Sequence, residues 1–104
     1  MRKIIKALTL VIGIAVGPAM AVANEVVIGV SAALSGSAAG TYAAPAEGLK
    51  LYIERLNDAG GVNGNTVSLV IYDDQGEASR AASNVRRLLA DHNAKMVISI
   101  STSA

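Results

Sequence analysis

Apolar positions cluster along this chain in three short runs: 26–30 (Val26, Val27, Ile28, Gly29, Val30), 67–72, broken only by Ser68, and 96–100, broken only by Ser99. Runs of that length, rich in β-branched residues and bounded by turn formers, read as strands. Between them the apolar period changes to that of a helix. Leu49, Tyr52, Ile53 and Leu56 recur at i, i+3, i+4 and i+7 and predict one inward stripe, with Lys50, Glu54, Arg55 and Asp58 on the wet side. Pro45 is tolerated in a first helical turn, so this helix is expected to begin near Ala44 or Pro45. Gly60 or Gly61 supplies the left-handed residue that ends it, and Asn63-Gly64 predicts a tight turn into the second strand. A second helix is predicted over 77–91, with Ala81, Val85, Leu88 and Leu89 inward, and the third strand over 95–100. Strands that alternate with helices of this length imply right-handed crossovers and a parallel sheet. The expected fold is therefore α/β, a parallel sheet with helices on both faces, limited here to three strands and two helices.

The first 23 residues read differently. Arg2, Lys3 and Lys6 make a basic start, the stretch 7–17 is apolar, Pro18 breaks it, and small residues recur with A-x-A spacing at Ala19-Met20-Ala21 and Ala21-Val22-Ala23. This is the pattern of a cleaved secretory signal peptide at 1–23, and the apolar run is roughly half the ~20 residues that span a bilayer. There are no cysteines, which excludes disulfides and the lipidated cysteine of an anchored lipoprotein. The expectation is an exported, periplasmic protein without a membrane anchor, acting as a monomer.

Without Arg2, Lys3 and Lys6, the nine basic residues fall to six against eight acidic, a formal net charge of −2. Arg86-Arg87 is the longest basic run and only Tyr42, Tyr52 and Tyr72 are aromatic. Nucleic-acid binding calls for clustered cations and stacking rings, so it is not expected. At the other end, the third strand comes four residues before Ala104, with no helix following to cover a parallel sheet. Residues 24–104 are accordingly expected to be the front part of a longer fold.

Three loops follow the carboxyl ends of the three strands, over 31–42, 73–76 and 101–104. In a parallel sheet these share one edge, where small ligands sit. The first loop offers Ser35, Ser37 and Thr41 as hydroxyl donors, with Gly36 and Gly40 for backbone access. The last offers Ser101, Thr102 and Ser103, a row of short hydroxyls suited to a carboxylate. Asp73-Asp74 could form a metal or acid–base pair, but adjacent strand-end carboxylates point to opposite sides, and the reading favoured here is that they cap a helix or tie a loop. His92 is the sole histidine, expected in a solvent-exposed turn at the opposite sheet edge. No Ser-His-Asp set, metal-ligand cluster, G-x-G-x-x-G after strand 1 or Gly-Lys-Ser/Thr can be named, so neither catalytic residues, a metal nor a cofactor are expected.

Taken in order, these pieces resemble the first lobe of periplasmic solute-binding proteins of the branched-chain amino-acid (leucine/isoleucine/valine) ABC-transporter type. Leu34-Ser35-Gly36 is similar to the family's L-S/T-G loop. Gly48, Asn57 and Ala59-Gly60-Gly61-Val62-Asn63-Gly64 are similar to its N-x-A-G-G-I/V-x-G helix end, and Tyr72-Asp73-Asp74 to its D-D strand ending. The chain departs from the pattern at Ala33, where proline is frequent, at Ser99, where glycine is usual, and at Glu77-Ala78, in place of Asp-Pro. The resemblance covers about residues 25–104. It implies a type I periplasmic-binding-protein lobe that closes with a second lobe over a ligand. By position it implies Ser103 as the ligand-binding serine, Thr102 as its neighbour, and Thr41 or Tyr42 facing the pocket.

The resulting expectation is a substrate-binding component of an ABC importer that takes an amino acid or similar small carboxylate and delivers it to a membrane permease. The alternatives are a ligand-sensing domain of a receptor with the same fold, or an exported α/β enzyme.

Overall fold

The computed structural model of the chain describes residues 24–102. The expected signal peptide, Ser103 and Ala104 lie outside the described residues. The elements run β1 (Glu25–Ala32), α1 (Ala39–Asp58), β2 (Thr66–Asp73), α2 (Ala78–His92) and β3 (Met96–Ile100). The three strands form one parallel sheet in the order β2-β1-β3, with Val30 of β1 opposite both Ile71 and Ile98. This is the expected α/β class.

Strand alternation decides which helix lies on which face. Val30 and Ala32 point to one side, where they form the core with Ala46 of α1, and Leu49, Leu69, Ile71, Ile98 and Ile100 pack around them. Gly29 and Ser31 point to the other side. There a Cβ on Gly29 would lie 2.9 Å from both Leu88 methyls, and the Asn84 amide reaches the Ser31 hydroxyl at 3.2 Å. The helices therefore cover opposite faces of β1. Leu88 is fully buried, and a leucine so placed contributes about 1.5–3 kcal/mol.

The inward stripes differ from the sequence expectation by one position each. In α1 the row is Ala46, Leu49, Ile53 and Leu56, while Tyr52 is 62 % exposed. Tyr52 sits about 100° around the helix from Ile53, and the small Ala46 completes the row where α1 lies close over Val30 and Ala32. In α2 the buried residues are Asn84 and Leu88, with Ala81 and Val85 half-buried, while Leu89 is 53 % exposed. A buried asparagine turns this face toward Ser31 and away from Leu89.

The helix starts also differ in part. Helix α1 begins at Ala39, ahead of the expected Ala44 or Pro45, so Pro45 lies inside it. Its missing N–H leaves the Thr41 carbonyl without the i+4 donor. Thr41, Ala44 and Pro45 are all exposed, so the lost bond falls on the solvent side of the helix. Helix α2 keeps its expected bounds to within one residue at each end.

The punctuation between α1 and β2 follows the sequence reading. Gly60 (φ 108°) and Gly61 (φ 75°) end the helix, with the Gly61 N–H donating to the Leu56 carbonyl. Asn63 (φ 51°) and Gly64 (φ 78°) form the two left-handed corners of a tight turn closed by Val62 and Asn65. Gly61 is the strict position here, because a Cβ would run into the Asn65 carbonyl oxygen.

Candidate functional site

A strand order of β2-β1-β3 means that the chain leaves β1 in one direction through α1 and returns across it in the other through α2. The crevice outside the carboxyl ends of β1 and β3 is thus a topological switch point, where open α/β sheets bind ligands. The described parts of the three predicted loops meet at this edge, and the side chains of Asp73, the last residue of β2, and Asp74, the next, hold them together.

Asp73 and Asp74 diverge, as adjacent strand residues must. Asp73 turns toward the β1–α1 loop. Its Oδ1 accepts the N–H groups of Leu34 at 3.0 Å, Ser35 at 3.3 Å and Gln75 at 2.9 Å, and its Oδ2 accepts the Ser35 hydroxyl. The Ser35 hydroxyl holds the Asp73 carboxyl below the ordinary aspartate value. Desolvation opposes this, and the N–H groups of Gln75, Leu34 and Ser35 add to the lowering.

Asp74 turns inward and is fully buried. Its Oδ2 accepts the Ser31 hydroxyl at 2.8 Å, and its Oδ1 accepts both the Ser101 hydroxyl and the Gly76 N–H at 2.8 Å. The Asn84 amide donates to the Ser31 oxygen at 3.2 Å and to the Asp73 carbonyl at 3.1 Å. That donation leaves the Ser31 proton for Asp74, so the direction of the chain of bonds is set. A buried carboxyl without such donors would cost several kcal/mol, on the order of what an unpaired buried charge costs. Among the described residues no buried side-chain polar atom lacks a partner. The pair therefore ties loops, the reading favoured from the sequence.

The candidate site residues fall into three groups. Ser35 is exposed on the first loop, with its hydroxyl proton given to Asp73. Thr41 and Tyr42, expected in that loop, lie instead in the first turn of α1, and their N–H groups donate to the Ala38 carbonyl at 3.0 and 3.2 Å. Thr41 is exposed and Tyr42 half-buried. On the last loop, half-buried Ser101 donates inward to Asp74, while exposed Thr102 donates to the Gly76 carbonyl at 3.2 Å. Gly76 is the meeting point, since a Cβ there would lie 3.3 Å from Ala38 and 3.7 Å from the Thr102 hydroxyl. The candidates thus come to one edge from two loops and a helix start, with Ser103 outside the described residues.

Sequence reasoning missed Ser31 and Asn84. Ser31 was expected in the loop, yet it is the seventh residue of β1 and 1 % exposed. The available signal was Asn84, one turn before Leu88 on an otherwise apolar stripe. A polar residue there calls for a buried partner across the helix–sheet interface. His92, expected in solvent, is half-buried, with Nε2 2.6 Å from the Tyr72 hydroxyl, and the Arg87 guanidinium lies 4.3 Å from the Tyr72 ring centre. Among the described residues no three His, Cys, Asp or Glu side chains are grouped so as to hold a metal ion, and no helix is long and apolar enough to cross a membrane.

Comparison with known proteins gives a consistent picture. The family model described as periplasmic binding protein matches residues 25–104. A branched-chain amino acid transporter substrate-binding protein of Streptococcus pneumoniae, solved in complex with isoleucine, is 30 % identical with a TM-score of 0.68, over 71 % of this chain and 21 % of that one. A protein of Rhodopirellula baltica described as a "possible leucine/isoleucine/valine-binding protein" is 29 % identical with a TM-score of 0.65, over 72 % of this chain and 20 % of that one. An ABC-transporter solute-binding protein of Rhodopseudomonas palustris, solved with 3,4-dihydroxybenzoic acid, shares the fold at 18 % identity and a TM-score of 0.62, over 70 % of this chain and 20 % of that one. The chain spans about a fifth of the length of these solved relatives. A search of curated protein sequences gave no match.

Proposed function

The chain belongs to the periplasmic binding protein family, and on that premise we propose that the full-length protein is the substrate-binding component of an ABC importer. In this reading residues 1–23 direct export and are removed, and residues 24–104 open the first of two ligand-binding lobes. The ligand is an amino acid or a similar small carboxylate, taken up in the periplasm by a monomer and handed to a membrane permease. No bond is made or broken. Ligand favours the state in which a second lobe has closed, and the permease distinguishes that state from the open one.

One observation supports this reading above the others: three loops from three parallel strands are drawn to one point at the β1/β3 switch by the Asp73 and Asp74 side chains. The groups proposed to meet a ligand there are hydroxyls, and in the ligand-free chain those of Ser35, Ser101 and Thr102 donate to Asp73, Asp74 and the Gly76 carbonyl, so binding would redirect them. Ser35, Thr41, Tyr42, Thr102 and Ser103 are the residues we assign to ligand contact, with Ser101 beside them. Hydroxyl donors suit a carboxylate without a cation, because a hydrogen bond to a charged group is worth about 1.5–3 kcal/mol, less the bond it replaces. The neighbours' ligands, isoleucine in one and 3,4-dihydroxybenzoic acid in another, both carry a carboxylate.

The test is calorimetric titration of the full-length protein with isoleucine, leucine, valine and 3,4-dihydroxybenzoate. Saturable binding of one molecule per chain is expected for at least one of these carboxylates, together with compaction in small-angle scattering. Absence of binding to amino acids and carboxylates, or binding without compaction, would overturn the proposal.

A further inference from the structure

The half-buried Asp73 carboxylate gathers donors from two segments of the crevice rim. From the β1–α1 loop come the N–H groups of Leu34 and Ser35 and the Ser35 hydroxyl, and from the β2–α2 turn comes the Gln75 N–H. The two segments touch along their backbones at the same place. A Cβ on Gly36 would lie 3.2 Å from the Gln75 carbonyl oxygen, and one on Gly76 would lie 3.3 Å from Ala38. On the β1 side the loop is also held by the ladder: the Ala33 N–H donates to the Ile100 carbonyl at 3.1 Å, and the Leu34 N–H is shared with the Ala32 carbonyl at 3.0 Å. One residue further on, the N–H and the hydroxyl of Ser35 both go to Asp73. Helix α1 starts directly after. The Ala39 N–H donates to the Gly36 carbonyl at 3.3 Å, and the Ala38 carbonyl accepts the N–H groups of Thr41 and Tyr42.

We propose that Asp73 is a positioning residue for ligand binding: by holding Leu34 and Ser35 against the β2–α2 turn it sets the start of α1, and with it Thr41 and Tyr42 in the first turn. The inference rests on the assignment of this edge as the ligand site. Its physical basis is the number and kind of bonds on one side chain. A carboxylate accepts several donors at once, and bonds to it are stronger than those between neutral groups. The bond from the Gln75 N–H, two residues on, also supports the left-handed conformation of Gln75 (φ 55°). The carbonyl against which Gly36 rests is therefore aimed by the same carboxyl that holds Ser35. Holding a loop in one conformation before binding removes an ordering cost that would otherwise reduce affinity. Asp73 also retains the Ser35 hydroxyl that a ligand would draw off, which pulls affinity the other way. A Ser35→Ala background removes that second effect and leaves the first.

The test is made in the full-length protein. Asp73→Ala removes the carboxyl, and Asp73→Asn keeps an acceptor for the N–H groups. Leu88→Val is the control, because it loosens the buried contact of α2 on the sheet face opposite α1. Amide hydrogen exchange at residues 34, 35, 41 and 42 is read without ligand, and affinity is read by calorimetry with L-isoleucine, L-leucine, L-valine and 3,4-dihydroxybenzoate. Asp73→Ala should speed exchange at all four amides by roughly tenfold or more. In the Ser35→Ala background it should weaken whichever of these the parent binds by about tenfold. Asp73→Asn should fall between the parent and Asp73→Ala in both measurements, and it carries the test if Asp73→Ala does not fold. Leu88→Val should lower the melting temperature yet leave the four amides and the affinity close to the parent's. Faster exchange at 34 and 35 with 41 and 42 unchanged would overturn the inference, because the loop and the helix start would then be independent. An affinity that Asp73→Ala leaves unchanged or tightens in the Ser35→Ala background would overturn it too. So would an equal loss of affinity in Leu88→Val, which would make the effect one of general stability. A parent that binds none of the four compounds overturns the ligand assignment and the inference with it, and exchange read without ligand tells that failure apart from a failure of the tie.

Discussion

Asn57 and Val67 exchange two hydrogen bonds: the Asn57 amide donates to the Val67 carbonyl at 2.7 Å, and the Val67 N–H donates to the Asn57 side-chain oxygen at 2.9 Å. The side chain takes the part of a strand neighbour. It pins the last turn of α1 to the start of β2 across the glycine turn, which fixes where β2 begins and so where Asp73 ends it, eight residues on from and including Thr66, with Asp74 next.

Asn57→Ala leaves both Val67 groups without partners in a half-buried place. A loss of about 1–3 kcal/mol is expected from chemical denaturation of the full-length protein, unfolding at lower denaturant with an unchanged slope. Asn57→Asp should not rescue it, because an oxygen then faces the Val67 carbonyl. Parent-like stability in both variants would show that the pair contributes nothing net.

Gly29 lets α2 approach β1. A methyl at Gly29 would meet the Leu88 side chain at 2.9–3.0 Å, and Leu88 is fully buried with no free side to move to. Gly29→Ala is expected to cost about 1–3 kcal/mol. In the Gly29→Ala background Leu88→Val should cost less than it does alone, because the two changes share one space. Additive losses in thermal or chemical unfolding would place the strain elsewhere.

Asp73 makes stability depend on pH at the acid end. Its folded value is held below the ordinary 3.8, so its contribution is complete above that value and is lost as pH falls through the lower folded value. The stability difference between the parent and Asp73→Asn should therefore be constant near neutral pH and shrink below about pH 4. Ser35→Ala removes the leading cause of the lowering and should move that acid limb upward. A difference independent of pH down to the acid transition would exclude the ionised carboxyl as the tie.

Ser103→Ala should weaken ligand binding in the full-length protein by roughly ten- to a hundredfold, the loss of one hydrogen bond to a charged group, and leave the melting temperature of the empty protein nearly unchanged. Ser79→Ala, exposed early in α2, is the control and should do little. Calorimetry on both variants decides. Loss at Thr102→Val in place of Ser103→Ala would shift the contact by one residue.

Export should leave a mature N-terminus at Val22 or Asn24, each directly after an A-x-A pair. Intact-mass measurement of the exported protein reads this directly, and retention of residues 1–21 would refute it.

The element order, the parallel sheet, the glycine stop at Gly60 and Gly61 and the Asn63-Gly64 turn were all legible in the sequence, because each depends on local rules: apolar period, β-branched runs, and backbone angles that glycine and asparagine adopt cheaply. The family membership was legible for a related reason, since Leu34-Ser35-Gly36 and Ala59-Gly60-Gly61 are short motifs whose order survives without coordinates. The divergence of Asp73 and Asp74 also followed from strand geometry alone. Periodicity could not choose between neighbours on a helix rim. Tyr52 and Leu89 are apolar and correctly spaced, yet they lie outside because Ala46 and Asn84 set the true lines of contact. Nor could it see that Pro45 would sit within a helix whose exposed side tolerates the missing bond. Which hydroxyl meets which carboxyl was decided by the sheet order β2-β1-β3, which brings Ser31, Asp74 and Ser101 together from positions 43 and 27 residues apart. Hydrogen bonds reach only about 3 Å, so partners so distant along the chain are set by tertiary packing and leave little local trace in composition or spacing.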